Sequence, residues 1–124
     1  MQKVKDIMTK KVVIIPDDME IECICNVLIN NSLSGAPVMN NKGKLIGFVS
    51  ERDIVAAIAS GDFANLEAKD IMCKKVTKVR EDTPLTEVSK IFAGKPFRHL
   101  PVVRRGEVIG IISRKDIIGR LLVP

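Results

Sequence analysis

The sequence predicts an α/β (α+β) protein made of two tandem β-α-β-β-α units that pack as a pseudo-two-fold pair. Two observations lead to this prediction. The 124-residue chain repeats itself at a nearly constant spacing, and each copy mixes short β-branched runs with stretches of helical apolar periodicity. Each copy has about 60 residues, close to the lower size limit of an independent domain, so we expect the copies to stabilise each other by packing together.

The repeat rests on three motifs that occur in the same order in both copies. They are Lys-Asp-Ile-Met at 5–8 and 69–72, Pro-Val at 37–38 and 101–102, and Gly-h-h-Ser-x-x-Asp (h apolar) at 47–53 and 110–116. The spacing between copies is 64 residues for the first two motifs and 63 for the third, so the second copy lacks one residue between them. We therefore place one domain at 1–64 and the other at 65–124.

In the first copy, each element is predicted from a local pattern. The patterns are a β-branched run ended by proline, an acidic helix cap, apolar residues three and four apart, and a glycine turn. The predicted elements are a strand over 12–15, a helix capped by Asp17 or Asp18 with Ile21, Ile24, Cys25 and Leu28 inward, strands over 36–39 and 45–49 around a turn at Gly43, and a helix opened by Ser50 with Ile54, Val55, Ile58 and Ala59 inward.

The second copy predicts the same order of elements. They are a strand over 76–79, a helix capped by Thr83 with Pro84 in its first turn and Leu85, Val88, Ile91 and Phe92 inward, strands over 100–103 and 108–112 around a turn at 105–106, and a helix opened by Ser113 with Ile117, Ile118, Leu121 and Leu122 inward.

Composition and charge narrow the classes of function. Aromatic residues make up 3% of the chain, with no Trp and no Tyr, which argues against a base-stacking platform for single-stranded nucleic acid. Residues 1–64 sum to a charge of −1 and residues 65–124 to +6. An anionic partner on the second half, from a small phosphate to a nucleic acid, is one interpretation of this imbalance, and scattered charge that serves solubility is the other.

The cysteine content and the N-terminus predict a cytoplasmic protein. The three cysteines are an odd number, and no signal peptide precedes them. No apolar run approaches the roughly 20 residues that cross a bilayer. The cysteines and the single histidine lack the spacing of a zinc site, and no catalytic set of side chains is visible, so we expect neither a metal nor an enzyme.

The Gly-h-h-Ser-x-x-Asp turn has two interpretations. As a capping box, its Ser and Asp satisfy free backbone groups at the start of a helix, and its Gly allows close backbone packing. As a ligand site, the Ser hydroxyl joins the helix N-terminus on a phosphate, the Asp accepts the two hydroxyls of a ribose, and the Gly lets a flat ring approach the backbone.

The three motifs together resemble two CBS domains in tandem, the arrangement called a Bateman module, over nearly the whole chain. The resemblance implies a compact regulatory pair that often dimerises. It also implies that AMP, ADP, ATP or S-adenosylmethionine binds as a regulatory ligand in clefts between the two units, with no obligatory cofactor. An effector protein would then act in trans, with no membrane involved.

The resemblance also implies roles for particular residues. Asp53 and Ser50 would serve one cleft, and Asp116 and Ser113 the other, with Asp on the ribose and Ser on the phosphate. Arg98 and His99 resemble phosphate ligands for the Asp53 cleft, which we therefore expect to bind nucleotides better. The remaining ligand-site residues are those beside the adenine, Ile14, Ile15, Pro16, Lys78 and Val79, and the two prolines of the Pro-Val motif, Pro37 and Pro101.

Two other functions stay open at this point. One is a ligand-free module for dimerisation or protein interaction, in which the Ser-x-x-Asp turn only caps a helix. The other, which fits the sequence less well, is nucleic-acid binding through the basic second unit; it predicts binding that falls steeply with salt.

Overall fold

The computed structural model describes residues 2–61 and 63–122, with side-chain surroundings given up to Arg120. It divides into two compact units. We call Val13–Val76 the continuous unit, and Met1–Val12 together with Thr77–Pro124 the split unit. Each unit holds one three-stranded sheet with helices packed against it, so the mixed α/β class predicted from the sequence is confirmed.

The continuous unit follows the predicted β-α-β-β-α order, and a further short helix follows it. Strand β1 pairs with β2 in parallel, and β2 pairs with β3 antiparallel. The elements are β1 (Ile15–Pro16), α2 (Ile21–Asn30), β2 (Gly35–Met39), β3 (Leu45–Ser50), α3 (Glu51–Ala59), a 3-10 turn (Phe63–Asn65) and α4 (Ala68–Ile71).

The split unit repeats this topology with the sheet order β4-β5-β6. Its β4 pairs with β5 in parallel, and β5 pairs with β6 antiparallel. The elements are α1 (Val4–Ile7), β4 (Val79–Arg80), α5 (Leu85–Gly94), β5 (His99–Arg104), β6 (Glu107–Ser113) and α6 (Arg114–Leu122).

The Lys-Asp-Ile-Met segment of each repeat packs on the body of the other repeat. The amide of Ala68 donates to the carbonyl of Met19 at 2.9 Å, and that of Val4 donates to the carbonyl of Thr83 at 2.9 Å. Each segment forms one helical turn, in which the motif aspartate accepts from the backbone amide three residues earlier. Each compact unit therefore contains residues of both repeats, from both sides of the boundary placed between 64 and 65.

The second copy is one residue shorter than the first, and the difference falls in the hairpin loop. In the split unit, Arg105 and Gly106 both have positive φ, 52° and 81°, the signature of a two-residue type I′ turn. In the continuous unit the loop is longer, and the Asn40 side chain accepts from the amides of Lys42 and Lys44 to hold it. The predicted turn at 105–106 is confirmed.

The two cores are aliphatic and lie between sheet and helices. The first helix of each repeat packs as predicted, with Ile21, Ile24 and Leu28 buried in α2 and Val88 and Phe92 in α5. Helix α3 differs from its prediction: Ile54 and Ala57 are buried, whereas Val55, Ile58 and Ala59 are exposed. In α6, Ile118 is also exposed, while the side chains of Leu121 and Leu122 lie outside the described part.

Two predicted helix caps are wrong, because both helices begin later in the chain than the pattern indicates. The Asp17 amide donates to the Met39 carbonyl, and α2 begins later, after Glu20. The hydroxyl of Thr83 accepts from the Arg80 amide at 3.0 Å and closes a turn, so Pro84 is the residue before α5. The first strands are also shorter than predicted, because only two residues of each pair with the neighbouring strand.

Candidate functional site

In the continuous unit, Ser50 and Asp53 form a capping box between β3 and α3. The Ser50 hydroxyl accepts from the Asp53 amide at 3.3 Å. One carboxylate oxygen of Asp53, Oδ2, accepts from the Ser50 amide at 2.8 Å and from its hydroxyl at 3.0 Å. Both side chains are half-buried. The capping interpretation of this turn is therefore confirmed.

The split unit has the same box at Ser113 and Asp116. The Ser113 amide donates to Asp116 Oδ2 at 2.8 Å, and the Asp116 amide donates to the Ser113 hydroxyl at 3.1 Å. Within the described residues, Oδ1 of neither aspartate accepts a hydrogen bond. Each unit therefore presents an acceptor oxygen at the positive end of a nine-residue helix.

Methionines cover the motif glycines on the side where a β-carbon would stand. A β-carbon on Gly47 would collide with the side chain of Met72, and one on Gly110 would lie 2.6 Å from the sulfur of Met8. The backbone beyond each methionine pairs with the same strand, as Phe48 and Cys73 exchange two hydrogen bonds at 2.9 and 3.0 Å. These glycines serve packing of the Asp-Ile-Met segment.

His99 lies beside the capping box of the split unit. It is directly opposite Ser113 in the β5–β6 ladder, the position that Gly35 occupies opposite Ser50 in the other sheet. Burial lowers the pKa of His99, the Asp116 carboxylate opposes this, and Arg98 and Lys115 lower the pKa further. The environment of His99 thus favours the neutral imidazole over the charged form.

Arg114 is a residue of this region that sequence reasoning missed. Its guanidinium donates to the carbonyl of Phe97 at 2.7 Å and to that of Lys95 at 3.5 Å, which ties the loop before β5 to the start of α6. The corresponding residue of the first repeat is Glu51, whose amide donates to the Ser34 carbonyl as that of Arg114 does to the Arg98 carbonyl. The opposite charges of Glu51 and Arg114 are visible in the sequence, and this difference between the copies could have identified Arg114.

The other predicted ligand residues differ in how far their side chains are exposed to solvent. Ile15 and Val79 are core residues at 0% and 5% exposure, so only their backbone is placed to meet a ligand. Ile14 is half-buried and Pro16 and Lys78 are exposed. Pro37 and Pro101 are each less than 2% exposed and lie opposite Phe48 and Ile111 in the two ladders.

Two further features of the described residues bear on function. They contain no group of three or more His, Cys, Asp or Glu side chains that would hold a metal ion. In the same part of the chain, no helix is long and apolar enough to cross a membrane.

Comparison with known proteins assigns the family. The model of the CBS domain matches residues 4–60 and again residues 68–123. The chain is 32% identical over 121 residues to an uncharacterised 17.7 kDa protein of Acidianus ambivalens, and the match covers 97% of this chain and 73% of that protein. Other curated relatives are longer; the chain spans 43% of one of them. The chain therefore belongs to the CBS domain family and carries two copies of the domain.

Solved structures agree with this assignment. The CBS domain pair of protein MJ0100, crystallised with 5-methylthioadenosine and S-adenosyl-L-methionine, is 28% identical with a TM-score of 0.84, and the match covers 98% of this chain and 96% of that one. The protein CBSX2, crystallised with AMP, has a TM-score of 0.89 at 24% identity, and the match covers 98% and 97% of the two chains. The resemblance to a tandem CBS pair is thus confirmed.

Proposed function

We propose that this chain is a regulatory module that binds an adenosine-containing ligand and catalyses no reaction. The observation that carries the proposal is the pair of Ser-x-x-Asp boxes, each with an unused carboxylate oxygen at a helix N-terminus. The MJ0100 pair, which has bound adenosine compounds, supports the choice of ligand class. A cytoplasmic location is part of the proposal, and the three cysteines, all free, are compatible with it.

The capping box sets how a ribose is held. Asp53 Oδ1 can accept from one ribose hydroxyl while Oδ2 stays in the box. A second hydroxyl can use the remaining position on Oδ1, since a carboxylate offers about four acceptor positions in all and Ser50 occupies two of them on Oδ2. The ligand can therefore bind without a loss of hydrogen bonds in the box. Asp116 and Ser113 play the same part in the other repeat.

We assign phosphate binding to Arg98 and His99. Following the family resemblance, we assign them to the ligand whose ribose Asp53 holds. Arg98 is exposed and its guanidinium can bind phosphate through two hydrogen bonds. His99 gains a proton more readily beside a phosphate. Backbone at Ile14, Ile15 and Val79 would hold the adenine, with Pro16, Pro37 and Pro101 shaping the site.

Regulation requires that the ligand favours one state of the module over another, because equal affinity for two states shifts nothing. We assign the output to self-association or to an effector protein in trans. The exposed apolar residues support this assignment: Ile29, Val55, Ile58 and Ile118 are 75%, 64%, 51% and 57% exposed. The same residues also favour the alternative function, a ligand-free interaction module.

Isothermal titration with AMP, ATP and S-adenosylmethionine tests the proposal, on protein that mass spectrometry shows to be free of co-purified small molecules. We expect binding to at least one compound, weakened by Asp53→Asn or Asp116→Asn and unchanged by Asp18→Asn, a matched change at an exposed position. The absence of binding to all three compounds would overturn the proposal and leave the ligand-free module.

A further inference from the structure

The loop that carries Arg98 follows α5, and its counterpart in the first repeat follows α2. That counterpart is closed by main-chain hydrogen bonds. The amide of Ser32 donates to the carbonyl of Ile29 at 3.1 Å, and the amide of Leu33 donates to the carbonyl of Leu28 at 2.8 Å. Ser32 makes this turn with a positive φ of 54°. A left-handed residue after a helix commonly satisfies the last helical carbonyls in this way.

Pro96 takes the place of Ser32 in the second repeat. Proline has a φ fixed near about −65° and no amide hydrogen, so it can neither adopt the left-handed conformation nor donate to the helix. Helix α5 ends at Gly94, and the next residue, Lys95, is extended, with φ −136° and ψ 150°. The loop over 95–98 therefore cannot be closed as its counterpart is, and it depends on donors from outside α5.

Arg114, the first residue of α6, supplies these donors. Its guanidinium donates to the carbonyl of Phe97 at 2.7 Å and to that of Lys95 at 3.5 Å. Its amide donates to the carbonyl of Arg98 at 3.3 Å. The Phe97 side chain packs against the buried core of the split unit, so the residue before Arg98 is fixed through its side chain and its carbonyl together.

We propose that Arg114 is a positioning residue for phosphate binding: it holds the loop over 95–98 so that the guanidinium of Arg98 is ready to meet a phosphate. This inference rests on the assignment of phosphate binding to Arg98 in the proposed function. Without the hydrogen bonds from Arg114, the loop would sample more conformations, and binding would have to restrict them at a cost in affinity.

Arginine suits this position because its planar guanidinium can donate to two carbonyls at once. The first repeat has Glu51 at the equivalent position, and a carboxylate carries no donor when it is ionised. The loop after α2 needs none, since its own main chain closes it. The pairing of proline in the loop with arginine at the start of the next helix thus occurs only in the repeat that carries Arg98.

Calorimetric titration of the wild-type chain, Arg98→Ala, Arg114→Ala and the double variant tests the inference. The ligands are AMP and ATP, with adenosine as the comparison that lacks a phosphate. We expect Arg114→Ala to weaken the binding of AMP and ATP about threefold or more and to leave the binding of adenosine unchanged. In the Arg98→Ala background, Arg114→Ala should have no further effect, because the residue that it positions is gone.

Arg120→Ala is the matched control, because it removes the same charge from an exposed position of the same helix. It should change the binding of none of the three ligands. Circular dichroism verifies that each variant is folded.

Pro96→Ser provides a second test, since it gives the loop the residue of its counterpart and allows a main-chain closure. In the Pro96→Ser background, Arg114→Ala should weaken AMP binding less than it does in the wild-type chain. An equal loss in the two backgrounds would contradict a role of Arg114 through the loop.

Three further results would overturn the inference and leave the proposed function intact. The first is normal AMP binding by Arg114→Ala although Arg98→Ala binds AMP weakly. The second is an additive loss in the double variant, which would mean that Arg114 acts on the phosphate directly. The third is an equal loss of adenosine and AMP binding, which would mean a general structural role.

A failure of the proposed function has a different signature. If the wild-type chain binds neither AMP nor ATP, or if Arg98→Ala binds both as the wild-type chain does, the assignment of phosphate binding to Arg98 is wrong. The positioning role of Arg114 is then wrong as well.

Discussion

Met72 fills the space beside Gly47 that a side chain at residue 47 would need. The same relationship joins Met8 to Gly110. Two of the repeated motifs are thus parts of one contact, in which the Asp-Ile-Met segment of one repeat lies against the glycine strand of the other. This contact requires a residue without a side chain at the motif glycine.

We expect Gly110→Ala to lower the free energy of unfolding by about 1–3 kcal/mol, the usual cost of overpacking. The added methyl group would stand 2.6 Å from the sulfur of Met8 and 3.1 Å from the carbonyl oxygen of Thr9. Urea denaturation followed by circular dichroism measures the change.

Gly119→Ala is the control for this substitution. Gly119 lies in α6 with nothing within 4 Å of an added β-carbon, so the change should stabilise the chain by up to about 1 kcal/mol through helix propensity. Equal effects of the two substitutions would contradict the packing role of Gly110.

The capping boxes should contribute to stability without any ligand. Ser50→Ala removes the hydroxyl that accepts from the Asp53 amide, and we expect it to lower the free energy of unfolding by about 1 kcal/mol. Asn26→Ala, at an exposed interior position of α2, should instead raise stability slightly. A neutral Ser50→Ala would contradict a contribution of the box to stability.

Local patterns predicted the parts of the fold that depend on neighbouring residues. The Ser50 cap and the turn at 105–106 are set by residues within a few positions of each other. The inward face of α3 was mispredicted because periodicity alone cannot choose between Ile54 with Ala57 and Val55 with Ile58. The choice depends on which face meets the sheet.

Long-range contacts explain the remaining differences. Asp17 fits the pattern of a helix cap, yet its backbone is bound by Met39 and by Lys69, a residue of the Asp-Ile-Met segment of the second repeat. The hydrogen bonds from Arg114 to the loop before β5 could likewise not be predicted from the sequence, since one arginine near a turn has many possible partners.

Stability should depend on the protonation of His99. Its pKa is lowered in the folded chain, so the unfolded chain binds more protons between the folded value and the ordinary value of about 6.5. Stability therefore rises with pH through this window and is lost as the pH falls below about 6.5.

His99→Gln tests this dependence cleanly, because His99 is the one histidine of the sequence. We expect the difference in unfolding free energy between pH 7.5 and pH 5.5, measured with urea, to shrink in the variant. Carboxylates act in both proteins and cancel in the comparison. An unchanged difference would show that His99 titrates normally.

The final prediction concerns the phosphate of the proposed ligand. If Arg98 binds it, Arg98→Ala should weaken AMP binding about tenfold or more, as expected for the loss of a charged hydrogen bond, and leave the binding of adenosine, which has no phosphate, unchanged. Arg120→Ala, at another exposed arginine, should alter neither. In an Asp116→Ala background the effect of Arg98→Ala should persist, and in an Asp53→Ala background it should disappear. The opposite pattern in titration calorimetry would assign Arg98 to the Asp116 site.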